Sequence, residues 1–191
     1  MNFSVKPSSL LKGTIQLPAS KSYSIRSFMV AACGGASTIV NPSNCEDVLV
    51  AMRVARFLGA KITRGLRGSS PYWHVETKNL KLQGNKVNVG ESGTVLRFLL
   101  PLLALRGAKA SVQGEGTLRG RPNRFLIDTL RTMGANVKGR GPQESIPVRF
   151  NGGSLTGGKI TIDGSLSSQF ISALLITCPC LAQDTSLMLK G

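Results

Sequence analysis

Between Leu17 and Arg26, Lys21, Ser22 and Arg26 gather at the start of a helix-patterned run. Ile25, Phe28, Met29 and Ala32 fall at i, i+3, i+4 and i+7, the spacing of an amphipathic helix that begins near Ser22 after a strand-like run ending at Pro18. Ser20 or Ser22 can cap it. Cations are oddly placed at that end, because a helix N-terminus already favours negative charge. Lys21 and Arg26 make sense there if an external anion fills the site. Free N–H groups, the Ser22 hydroxyl, the Lys21 ammonium and the Arg26 fork would then converge on one phosphate. Ser22 and Arg26 are four apart and share a face. The same residues would also serve a capped, solvated surface helix.

Two further helix starts carry comparable chemistry. Gly90-Glu91-Ser92-Gly93-Thr94 is a turn opening a helix from Val95 to about Leu105, apolar nearly all round except for Arg97. Gly93 would let backbone N–H groups approach an anion closely. Gly164-Ser165-Leu166-Ser167-Ser168-Gln169-Phe170 is a hydroxyl-rich turn entering another apolar helix. Arg121, in the Gly-rich loop 114–122, just precedes a further helix, with Pro122 suited to its first position. Taken singly, Gly93 is an ordinary helix-start glycine, Ser167 and Ser168 are caps, and Arg121 is a surface residue. Together, three polar helix N-termini could face one cleft.

The elements that must position these residues repeat. A short strand is expected over Ala36–Val40. Ser43 and Glu46 have capping-box spacing ahead of a helix through Val48, Ala51, Met52 and Ala55. A Gly-rich turn near Arg64–Ser70 joins two strands, and another strand is expected at Lys86–Val89. Beyond Gly107 come a strand at Ala110–Val112, a helix through Leu126, Leu130 and Met133, and strands near Asn136–Lys138 and Ile146–Phe150. Phe57-Leu58-Gly59-Ala60-Lys61-Ile62 matches Thr132-Met133-Gly134-Ala135-Asn136-Val137, and Ile25-Arg26-Ser27-Phe28 matches Leu96-Arg97-Phe98-Leu99. The unit is therefore strand–helix–strand–helix–strands, used twice and begun a third time. The third copy stops at Leu187–Gly191, where its second helix should begin. Gly153–Lys159 has the glycine and lysine spacing of a phosphate loop, but Ile160 stands where a Ser or Thr is needed and a strand pattern follows, so it reads as a turn.

Composition narrows the partners. Twenty-four Lys+Arg against 9 Asp+Glu give a net charge of +15, which favours anionic partners. Aromatic residues are only 5% and do not interleave with the cations, which argues against a single-strand nucleic-acid platform. Cys33, Cys45, Cys178 and Cys180 form no paired CxxC set and read as buried free thiols in a reducing compartment. The start lacks the apolar core of a signal peptide, and the longest apolar stretches are too short to span a bilayer, so a cytoplasmic protein is expected. His74, the one histidine, lies in a strand pattern and reads as structural.

Leu17-Pro18-x-Ser20-Lys21-Ser22-x-Ser24-x-Arg26, Gly90-x-x-Gly93-Thr94-x-x-Arg97, Arg119-x-Arg121-Pro122 and Gly164-Ser165-x-Ser167-Ser168-Gln169-Phe170 occur in order, and with them the chain resembles the EPSP synthases. The similarity runs essentially end to end. The related UDP-N-acetylglucosamine enolpyruvyl transferases usually carry Lys-Asn where this chain has Lys21-Ser22 and rank second; a basic nucleic-acid-binding module is the reading from another class. The resemblance implies a mixed α/β (α+β) fold of repeated βαβαββ units forming an inside-out, barrel-like domain, with units at about 17–84, 85–152 and an incomplete 153–191. Residues 1–16 would be initial strands that pack with a second domain. It implies transfer of the enolpyruvyl group of phosphoenolpyruvate to the 5-hydroxyl of shikimate 3-phosphate, in the shikimate pathway. Lys21, Ser22, Arg26, Ser167, Ser168 and Gln169 would bind shikimate 3-phosphate. Lys21, Gly93, Arg121 and Gln169 would contact phosphoenolpyruvate, with Lys21 catalytic. No cofactor or metal, no nucleic acid and no membrane are implied, and the full-length enzyme would be monomeric. The chain covers less than half the family's usual length, so little turnover is expected of it alone. Glu91-Ser92 replaces the commoner Asn-Ala and Phe98 a commoner Pro, which bears on phosphoenolpyruvate affinity and inhibitor response.

Overall fold

Burial of the apolar helix centred on Leu99 organises the chain. The computed structural model describes residues 2–165 and 167–190. The first repeat runs α1 (Lys21–Ala31), β1 (Gly35–Val40), α2 (Glu46–Phe57), β2 (Lys61–Arg67) and β3 (Ser70–Thr77). The second runs β4 (Lys86–Asn88), α3 (Gly93–Leu105), β5 (Lys109–Gln113), a 3-10 turn at Gly116–Gly120, α4 (Arg124–Thr132), β6 (Ala135–Arg140) and β7 (Ser145–Gly153). The third opens with β8 (Gly158–Asp163), α5 (Ser168–Thr177) and β9 (Thr185–Lys190). Among the described residues the strands form three sheets, ordered β1-β3-β2, β4-β5-β7-β6 and β8-β9. The pairs β4·β5 and β8·β9 are parallel, and β1·β3, β2·β3, β5·β7 and β6·β7 are antiparallel.

Helices occupy the middle and sheets the outside, the inside-out mixed α/β arrangement expected. α3 touches α1, α2, α4 and α5, and buries Val95, Leu96 and Phe98 through Ala104. Pro101 lies within it. A missing backbone donor and ring clash cost about 3 kcal/mol in a helix interior. Each buried leucine returns roughly 2 kcal/mol, so the helix persists through the proline. The sheets, by contrast, show water one face: β2 buries none of its residues fully. No described helix is long and apolar enough to cross a membrane.

Several local expectations are corrected. Residues 2–20 form no strand, and Phe3, Val5 and Leu11 are 84%, 91% and 89% exposed. A strand needs a neighbouring strand for its backbone groups, and none lies beside this segment. The first helix does begin beside Ser22, at Lys21, and of the two serines offered as caps it is Ser20 that accepts from the Tyr23 N–H. Ser43 and Glu46 make no capping box. Cys45 is the N-cap, the Ser43 N–H donates to Ser24 Oγ, and Glu46 and Asp47 complement the dipole within the first turn. Pro122 lies outside α4, whose N-cap is Asn123. The turn foreseen over 64–70 shrinks to a hairpin tip at Gly68, whose φ of +61° suits glycine, and β2 pairs as far as Arg67↔Ser70. Leu187–Lys190 belong to β9 and do not open a helix. Cys33, Cys45 and Cys178 are half-buried and Cys180 is exposed, so the thiols are not all core residues. The segment 154–157 is a loop between β7 and β8, as the phosphate-loop test implied. Leu166, within the third hydroxyl-rich turn, and the outer limits Met1 and Gly191 lie outside the described residues.

Candidate functional site

The first helix of each repeat is capped by a serine. Ser20, Ser92 and Ser167 accept from the N–H groups of Tyr23, Val95 and Gln169. None of the three helices carries an acid in its first turn, so their N-terminal partial charges are not offset locally. α3 and α5 meet through Gln169. Its Nε2 donates to Thr94 Oγ1 at 3.0 Å and its Oε1 accepts from Arg97 Nη1 at 2.5 Å. The Arg97 guanidinium also lies over the Phe170 ring, 5.0 Å from its centroid. α1 joins them through Arg26, whose Nη2 donates to Ser172 Oγ at 3.4 Å and whose guanidinium lies 5.3 Å from the Phe98 centroid.

Lys21 turns to a different neighbour. Its Nζ donates to Asp47 Oδ2 at 2.9 Å. The hydrogen bond and charge of Asp47 raise the Lys21 pKa, so the side chain is an ammonium and not a base at neutral pH. Burial pushes the Asp47 carboxyl upward, but hydrogen bonds from Ser92 and Lys21 and the Arg121 charge outweigh it and hold the carboxyl below its ordinary value. Asp47 thus pairs with the start of α1 and lines one cavity with Ser92, the cap of α3. Lys21 and Arg26 take different partners within the chain. They engage α2 on one hand and α3 and α5 on the other.

Arg121 sits beside the start of α3: a Cβ on Gly93 would lie 2.9 Å from its Nη1, so a side chain there would push the guanidinium aside. Arg121 Nη2 also donates to Thr117 Oγ1 at 3.3 Å. Burial, and behind it the Arg121 charge, lower the pKa of Arg97. Two cations close enough to oppose each other, beside an uncompensated helix terminus, form a place an anion stabilises. A cavity of about 330 Å³ is lined by Lys21, Cys45, Asp47, Glu91 and Ser92. A larger depression of about 580 Å³, lined by Thr38, Thr63, Arg67, Tyr72 and His74, lies on the first sheet and holds none of these residues.

Of the residues singled out by sequence, Lys21, Gly93, Arg121, Gln169 and Arg26 are thus connected through direct neighbours around the α3 N-terminus. Ser22 lies exposed on the first turn of α1, and its carbonyl accepts from Arg26 Nη1 at 3.2 Å. Ser167 is the α5 cap, and Ser168 is exposed at the first helical position. Asp47 escaped the sequence reading. A first-turn acid looks like ordinary dipole compensation, and its lysine is 26 residues away.

Known proteins share both sequence and shape with this chain. The family model described as EPSP synthase (3-phosphoshikimate 1-carboxyvinyltransferase) matches residues 5–191. Proteins named 3-phosphoshikimate 1-carboxyvinyltransferase from Methanosarcina acetivorans and Escherichia coli O1:K1 are each 34% identical over the whole chain, which covers 44% and 45% of them. A solved EPSP synthase from Acinetobacter baumannii superposes with a TM-score of 0.80 at 26% identity, over 94% of this chain and 40% of that one. The chain spans less than half the length of the curated relatives it matches. With the family pattern running from residue 5 to the last residue, the chain belongs to the EPSP synthase family.

Proposed function

We propose that this chain supplies one wall of an enolpyruvyl-transfer site, where the 5-hydroxyl of shikimate 3-phosphate adds to phosphoenolpyruvate and phosphate then leaves. The observation that carries the reading is the linkage of three serine-capped helix starts by Gln169, Asp47 and four cations, Lys21, Arg26, Arg97 and Arg121. Both substrates are polyanions, which a protein of net charge +15 attracts. Lys21, Ser22, Arg26, Ser167, Ser168 and Gln169 bind shikimate 3-phosphate. Lys21, Gly93, Arg121 and Gln169 contact phosphoenolpyruvate. The Arg121 fork suits bidentate capture of carboxylate or phosphate. Lys21, held as an ammonium by Asp47, stabilises negative charge that builds during addition rather than removing a proton.

Residues 1–16 pack with a second domain, and the 191 residues by themselves bind substrate but turn it over negligibly. The reaction needs neither metal nor organic cofactor, and the protein works in the cytoplasm as a monomer. Isothermal titration of the chain with shikimate 3-phosphate, and separately with single- and double-stranded DNA, tests the reading. Saturable sugar-phosphate binding with weak, salt-sensitive DNA binding is expected. Sequence-independent DNA binding with no sugar-phosphate binding would replace the proposal with a nucleic-acid module. A steady-state assay giving ordinary turnover by the chain alone would overturn the claim of inactivity.

A further inference from the structure

Glu91 stands one residue ahead of the α3 cap and is not among the substrate-binding residues named above. Its Oε2 accepts from the Thr117 N–H at 3.1 Å and from Thr117 Oγ1 at 3.3 Å. Thr117 Oγ1 in turn accepts from Arg121 Nη2 at 3.3 Å. A hydroxyl has one proton to give and lone pairs to receive, so the relay has a defined direction: Arg121 donates to Thr117, and Thr117 donates to Glu91. The fit is close. Gly116 has φ +50°, and a Cβ there would fall 2.2–2.5 Å from the Glu91 carboxylate, so the carboxylate lies in space that any side chain at 116 would claim.

Lower ties hold the same loop. The Glu115 N–H donates to the Gly90 carbonyl at 2.8 Å, and Asn88 Nδ2 donates to Glu115 Oε1 at 2.6 Å. Leu118 is buried beneath. The Leu118 carbonyl also accepts from the Arg121 N–H at 3.2 Å, but none of these ties reaches the Thr117 side chain or the guanidinium. Glu91 alone among these ties reaches the residue that contacts the guanidinium.

We propose that Glu91 is a positioning residue: through Thr117 it fixes the Arg121 guanidinium beside the α3 N-terminus, and so governs affinity for the carboxylate-and-phosphate ligand without governing the sugar-phosphate. The inference rests on the function proposed above only for the identity of that ligand. Glu91 also lines the Lys21 cavity, where its charge opposes an incoming anion. Its two effects have opposite signs. Removing the carboxylate frees Arg121 and weakens binding; removing only the charge relieves repulsion and favours binding.

Glu91→Ala and Glu91→Gln separate the two, because glutamine keeps an acceptor oxygen for Thr117. Phosphoenolpyruvate and shikimate 3-phosphate are titrated in parallel, and exchange of the Thr117 amide is followed by NMR. Glu91→Ala should weaken phosphoenolpyruvate binding about tenfold, the scale of one charge-assisted hydrogen bond. It should leave shikimate 3-phosphate within about twofold and speed Thr117 exchange at least about tenfold. Glu91→Gln should hold both affinities and the exchange rate near those of the unaltered protein, or tighten phosphoenolpyruvate. Unchanged Thr117 exchange in Glu91→Ala overturns the proposal, as does an equal loss of both ligands, which would mark a general structural role. If the unaltered protein holds neither ligand, the function proposed above fails, and the exchange measurement alone decides whether the tether exists.

Discussion

The first and second repeats follow the same path and place opposite charges at the same point. In the first, Asp47 at the start of α2 reaches back to Lys21 at the start of α1. In the second, Arg121, just ahead of α4, lies against Gly93 at the start of α3. One repeat therefore neutralises its leading helix with an internal ion pair, while the other adds a cation to a terminus that is already positive. The edges differ too. β5 has β4 as a parallel neighbour, but no described strand occupies the corresponding edge of β1. The two repeats share a scaffold, and the charges that differ between them make the start of α3 unlike the start of α1.

The contrast can be broken most forcefully at the core. Leu99→Ala in α3, wholly buried, should cost about 3–5 kcal/mol in urea unfolding, whereas Val30→Ala on the exposed face of α1 should stay within about 0.5 kcal/mol. Similar losses at the two sites would deny α3 its central place. Next comes the charge of the second repeat. Arg121→Ala should weaken phosphoenolpyruvate at least about tenfold by calorimetry, and Arg121→Lys should recover only part, because a point charge cannot replace the fork. Full recovery by lysine would reduce the role of Arg121 to net charge.

The first repeat is probed by Lys21→Ala, set against Lys138→Ala, an exposed residue of β6. Shikimate 3-phosphate binding should fall about tenfold for the former and less than about twofold for the latter. Equal effects would point to bulk charge and not to a site. The smallest expected effect is in pH dependence. The folded pKa of Asp47 lies below its unfolded value, so its contribution is present above about pH 4 and fades as pH falls through the folded pKa. Lys21 and Asp47 are both partly exposed, so the contribution is about 0.5 kcal/mol. Asp47→Asn should lose about that much stability at pH 7 and almost nothing at pH 2; an equal loss at both would assign the effect to packing.

Much of the fold could be read from local pattern. The spacing of Ile25, Phe28 and Met29, and the all-apolar run from Val95, announced α1 and α3, because periodicity records which face is buried. The matched Phe57–Ile62 and Thr132–Val137 segments announced the repeat. Caps were harder. Cys45 took the place expected of Ser43, and Asn123 the place expected near Pro122, because a boundary depends on where the incoming chain leaves the preceding strand. The candidate site was legible as a set of residues but not as a set of contacts. Gln169 bridging Thr94 and Arg97 joins positions more than 70 apart, and nothing in either segment encodes the other.

By itself, then, the order of residues determined the helices and most of the strands, that the unit repeats, that cations crowd helix starts and that the chain carries a large positive charge. Each is a short-range or additive property, readable within one or two turns or by simple summation. Only the tertiary structure decided that Lys21 answers to Asp47 while Arg26 reaches α3 and α5, that Arg121 lies against Gly93, and that Glu91 turns to Thr117. Those pairings depend on how helices and loops distant in sequence are brought together by burying α3, and a side chain a few ångströms long takes its partner from whatever that packing delivers.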